Sequence, residues 1–67
     1  MLLKIYYNKG YYYIDTKDAE ETFRYIIKNG DDKSKYEACK IMGYFFRYYK
    51  KNNIKSLDYL QTALTFD

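Results

Sequence analysis

Few residues in this 67-residue chain are of types that make or break bonds. There is no histidine, so the commonest general base near neutral pH is missing. The single thiol, Cys39, has no imidazole to take its proton. Its position in an apolar segment predicts burial as a small core residue. Carboxylates occur side by side at Glu20-Glu21 and Asp31-Asp32, where helix ends and caps call for them, so they read as capping groups rather than acid–base pairs. Asp31-Asp32 is followed by Lys33 and Lys35, which matches no calcium loop. The glycines stand singly at Gly10, Gly30 and Gly43 and build no phosphate-cradling loop. The expectation is a protein that is not an enzyme, with no catalytic residue, no cofactor and no metal.

Binding chemistry is better supplied. Tyrosine occurs 11 times, and Phe and Tyr together make 22% of the chain. Tyrosine carries a large apolar ring with a polar tip and is enriched at interface hot spots. Tyr6, Tyr11 and Tyr13, with Lys4 and Lys9, are expected to point away from the core on one face of an N-terminal hairpin. Tyr25, Tyr36, Tyr44 and Tyr59 fall off the apolar stripes of their helices, and Arg47 lies beside Tyr44 in a basic patch with Lys50, Lys51 and Lys55. The partner-binding set is therefore Tyr6, Tyr11, Tyr13, Lys4, Lys9, Tyr44 and Arg47. A protein partner is the first choice, docking on the rings or adding a strand to an open hairpin edge. A homo-oligomer through that edge or through spare helix surface is one version. Single-stranded nucleic acid, stacking bases on the tyrosines with lysines at its phosphates, is the second choice.

These side chains need a frame. Residues 2–15 predict a β-hairpin, because two β-forming runs flank Asn8-Lys9-Gly10. Setting Tyr7 opposite Tyr12 and Lys4 opposite Asp15 places Leu3, Ile5, Tyr7, Tyr12 and Ile14 on one face, with Gly10 supplying positive φ. Residues 16–29 predict a helix with Ala19, Phe23, Ile26 and Ile27 on one stripe, capped by Asp15 or Thr16 and stopped at Asn29-Gly30. Residues 35–51 predict a central helix, opened by a Ser34-Lys35-Tyr36-Glu37 capping box. Its stripe is Ala38, Met42, Phe45 and Tyr49, flanked by Ile41 and Tyr48 on one side and by Cys39 and Phe46 on the other. Gly43 costs helix stability there, which a close helix approach would explain. Residues 54–66 predict a last helix on Leu57, Leu60 and Leu64, with Ile54 and Ala63 beside them. The fold class is α+β: a two-stranded antiparallel hairpin packed on a three-helix cluster, one domain over 1–67.

The last two helices resemble one tetratricopeptide helical hairpin. The matching residues are Met42-Gly43 and Phe46, then Ser56, Leu60 and Ala63, within about residues 38–64. The loop is one residue longer than in that repeat, and its terminal proline is absent. The resemblance implies protein binding rather than catalysis. Net charge is only +3, and no apolar run approaches a membrane span of roughly 20 residues. A lone cysteine and no export signal point to the cytoplasm. Abundant Lys, Tyr, Ile, Asn and Asp, with Pro, His and Trp absent, suggest an AT-rich genome. The specific expectation is a small inhibitor, adaptor or regulatory subunit, for instance a phage or mobile-element protein that blocks a host system as anti-CRISPR and other anti-defence proteins do.

Overall fold

The computed structural model describes residues 2–66. Strands β1 (Leu2–Tyr7) and β2 (Gly10–Asp15) form an antiparallel hairpin. Then come a 3-10 turn (Thr16–Asp18), α1 (Ala19–Asn29), α2 (Asp32–Tyr44), a π-helical turn (Phe45–Tyr49), α3 (Asn53–Ala63) and a closing 3-10 turn (Leu64–Phe66). This is the expected α+β arrangement of a hairpin and three helices. The Cα framework measures 29 × 27 × 14 Å, so it is thin and few side chains lie far from solvent.

The hairpin register differs from the expected one by two residues. Tyr7 pairs with Gly10, Ile5 with Tyr12 and Lys4 with Tyr13. A two-residue turn, Asn8-Lys9, closes it with φ of 52° and 66°. Both turn residues are thus left-handed, the geometry that matches strand twist in a tight hairpin. Gly10 does not carry the positive φ. A shift of two residues keeps every side chain on its own face, so the division of faces survives the change.

Asp15 caps the 3-10 turn that leads into α1, its carboxylate accepting the Lys17 N–H at 3.1 Å. The α1 stripe buries Ala19, Phe23 and Ile26 completely or nearly so, with Ile27 half-buried. Helix α2 starts three residues earlier than the capping box suggests. Asp31 is the N-cap and accepts the Ser34 N–H at 2.8 Å. Ser34 itself lies inside α2, fully buried, and its Oγ accepts the Asn8 N–H at 3.1 Å. The hairpin turn is thereby tied to the start of α2. The core joins Ile5, Ala19, Phe23, Ile26, Ala38, Met42, Phe45 and Phe46.

The Asp31 cap makes folding respond to acid. The hydrogen bond from the Ser34 N–H holds its carboxyl below the ordinary value of 3.8. A lowered folded-state pKa stabilises the fold fully above the unfolded-state value, and that contribution fades as pH falls through the folded one. Urea midpoints of wild type and Asp31→Asn should run parallel from pH 7 to about pH 5 and converge below about pH 4. Asparagine caps nearly as well but does not titrate. A constant difference down to pH 2 would show that Asp31 does not carry this acid response.

Helix α3 presents a face rotated from the expected one. Ser56 and Ala63 are buried and Leu60 is half-buried, whereas Ile54, Leu57 and Leu64 stand exposed. Gly43 explains the rotation. A Cβ there would sit 2.6 Å from Leu60 Cγ, so α2 and α3 approach over small residues. Tyr59 was expected off the core; its ring stacks on Phe46 at 5.6 Å and 6°.

Candidate protein-docking surface

The predicted binding residues gather into two clusters. The first lies on the hairpin. Tyr11, Tyr12 and Tyr13, consecutive on β2, are all exposed, at 59%, 51% and 67%. The Lys4 ammonium lies 4.6 Å from the centre of the Tyr11 ring, and Lys9 is exposed in the turn. Tyr6 corrects the expectation. It is buried, only 7% exposed, with Tyr11 edge-on at 5.2 Å and the Lys33 ammonium 4.8 Å from its ring centre. Tyr6 therefore supports the surface from beneath and does not present its ring. Tyr12 departs the other way. It belongs to the inner face, but β2 overhangs α1, leaving a cleft of about 360 Å³ whose lining includes Tyr12, Ile14, Thr22 and Tyr25. Hydrogen bonding to the Tyr25 phenol, and then burial, raises the Tyr7 phenol above its ordinary value.

Backbone groups of β2 are open as well. With a two-residue turn, Tyr7 and Gly10 exchange hydrogen bonds, and the pattern alternates along the ladder. Tyr12 and Ile14 therefore bond to β1, while the N–H and C=O of Tyr11 and Tyr13 point away from it. Among the described residues, no hydrogen bond outside the ladder reaches Tyr11 or Tyr13. The strand has no proline and its register runs without a bulge, so common protections of an edge are missing.

The second cluster arises from the π turn. One extra residue per turn at Phe45–Tyr49 rotates the later side chains of this segment around the helix axis. Tyr48 and Tyr49, expected within or beside the core stripe, are instead exposed. Tyr44 stacks on Tyr48 at 6.3 Å, and the Arg47 guanidinium lies 5.4 Å from the Tyr48 ring. With Leu3, Ile41, Phe45 and Tyr49 these tyrosines line an apolar groove of about 240 Å³. Tyr44 and Arg47 are exposed as expected. Tyr12, Tyr48 and Tyr49 were missed: nothing in the sequence marks a π turn, and alternation cannot say which inward residue overhangs its support.

Cys39 is a free, buried thiol whose pKa is raised by desolvation, which disfavours the reactive thiolate. No group of three or more acidic or sulfur ligands converges to hold a metal ion among the described residues. No described helix is long and apolar enough to cross a membrane. Compared with known proteins, the chain matches no family model, no curated protein and no solved structure.

Proposed function

We propose that this protein is a small, non-catalytic protein-interaction module that acts by occupying the surface of a partner protein. The observation that carries this reading is the run of exposed tyrosines on β2, beside Lys4 and Lys9, on a strand whose outer edge is unpaired. Rings held on a strand lose little further freedom on binding, so their burial converts efficiently into affinity. The resemblance of the last two helices to a tetratricopeptide hairpin supports the same class of function. Inhibition of a host system by a phage or mobile-element protein is the specific version of this reading. A single free cysteine suits the cytoplasm, where such a protein would act.

Base stacking is the less suited use of the face. The Lys4 ammonium already lies over the Tyr11 ring, and a nucleobase would have to displace it from that side.

Affinity capture from the native host, with and without nuclease treatment, tests the reading. Tyr11→Ala and Tyr13→Ala should each weaken capture by about 1 kcal/mol or more. Tyr13→Ala should change folding stability by less than about 0.5 kcal/mol, whereas Tyr11→Ala also removes the edge-on contact with Tyr6 and should cost about 0.5–1.5 kcal/mol. Binding that survives nuclease and moderate salt, and survives Lys4→Gln with Lys9→Gln, fits protein docking. Binding that vanishes with nuclease and falls steeply with salt would replace it with nucleic-acid recognition.

A further inference from the structure

We infer that the outer edge of β2 pairs with the same edge of a second copy of this chain, antiparallel about a two-fold axis at Tyr12. The product is a four-stranded sheet of order β1-β2-β2-β1. This goes beyond the docking reading and stands without it, because it uses the backbone edge of β2 rather than its ring-bearing face.

The register is set by which groups are free. Tyr11 and Tyr13 carry the outward N–H and C=O groups, so the two strands must set these residues opposite each other to exchange hydrogen bonds. Pairing Tyr11 with Tyr13 of the partner copy does so twice. It also fixes the remaining neighbours. Tyr12 meets Tyr12 of the partner copy on the inner face, beside the open cleft over Thr22 and Tyr25. Gly10 meets Ile14 of the partner copy. Lys9, the turn residue just before β2, falls beside Asp15 of the partner copy, so a cation and an anion lie near each other at both ends of the new ladder. The alternative with Tyr13 at the axis sets Asp15 opposite Tyr11 and loses this charge match.

The contact is small: edge-to-edge pairing covers the strand backbones and the facing Tyr12 rings and leaves most of Tyr11 and Tyr13 open, so the dimer is a weak one. The inner rings extend the apolar layer, and the outer rings of two copies form one continuous tyrosine face.

Sedimentation over a wide concentration range, with amide exchange by NMR, tests the inference. Wild type should pass from monomer to dimer as concentration rises. The Tyr11 and Tyr13 amides should exchange more slowly in the dimer, while Tyr12, bonded within the hairpin, should not change. Tyr13→Pro removes one outward N–H without touching the β1 ladder and should weaken association about tenfold or more. Lys9→Glu should weaken it roughly threefold to tenfold, and Asp15→Lys added to Lys9→Glu should restore it. Circular dichroism melts establish that each variant is folded. A folded wild type that stays monomeric at millimolar concentration overturns the proposal. So does a dimer that survives Tyr13→Pro but is lost when Ile54→Lys and Leu57→Lys are combined, which would place the contact on α3.

Discussion

Phe23→Ala should leave this chain barely folded or unfolded at 25 °C. Phe23 is wholly buried and its ring meets Phe45 edge-on at 6.2 Å, linking α1 to the π-helical turn that follows α2. Phe45 in turn contacts Phe46 and Tyr49, and Phe46 stacks on Tyr59 of α3. Removing the first ring of this series opens a cavity beneath the hairpin and costs about 3–5 kcal/mol. A domain of this size has about 3–10 kcal/mol of stability in total. The thin framework offers no second layer into which the structure could collapse. Each kcal/mol lowers Tm by about 4–8 °C in a domain of this length. Thermal melts should therefore show a fall of more than about 12 °C, or no cooperative transition. Phe23→Leu, which keeps most of the volume, should lie between this variant and wild type. A fall under 5 °C for Phe23→Ala would mean that α1 does not dock through this ring.

The contrast between Phe23 and Tyr13 also marks what the sequence could reveal. Phe23 shares a stripe with Ala19, Ile26 and Ile27, and helical periodicity alone identifies that stripe as core. The hairpin was equally legible, because two runs of β-formers flank a short polar turn. Its register was not, because alternation fixes the face of a strand and leaves shifts of two residues open. The Asn8-Lys9 turn decided it, with two non-glycine residues in left-handed conformation. The start of α2 was ambiguous for a similar reason. Asp31 and Ser34 are both good caps, and the partner that claims Ser34 is the distant Asn8 N–H. On α3 the leucine spacing pointed to the wrong face. The real interface is set by Gly43, Ser56 and Ala63, whose smallness lets two helices approach and carries little hydrophobic signal. The candidate surface was legible in part. Tyr11 and Tyr13 are exposed as alternation predicts. Tyr6 shares their face but is covered by Tyr11 and Lys33, a tertiary effect that strand periodicity cannot contain.

Gly30→Ala carries the second large expected effect, and its size depends on what surrounds the missing methyl group. Gly30 has φ of −77° and ψ of 167°, which alanine adopts freely, so backbone strain is not the issue. Reduced freedom of the unfolded chain would by itself favour alanine by about 0.4–1 kcal/mol. The space decides otherwise. A Cβ at this position would lie 2.7 Å from the Ile26 carbonyl oxygen and 2.9 Å from Ser34 Cβ. That oxygen already accepts the Gly30 N–H at 2.7 Å, and Ser34 is held by its bonds to Asp31 and Asn8. Neither neighbour is the loose end of a side chain. Making room must separate α1 from the start of α2 and strain the tie to the hairpin turn, for a net loss of about 2–3 kcal/mol. Gly43→Ala provides the comparison. Its added methyl group meets Leu60 mainly, a side chain that can turn, and helix propensity returns about 1 kcal/mol. In a Leu60→Ala background, Gly43→Ala should become neutral or stabilising, whereas Gly30→Ala should cost nearly the same in either background. Urea denaturation of the single and double variants measures both differences. Equal relief of the two glycine substitutions by Leu60→Ala would show that the clash at Gly30 is not the local, backbone-fixed one described.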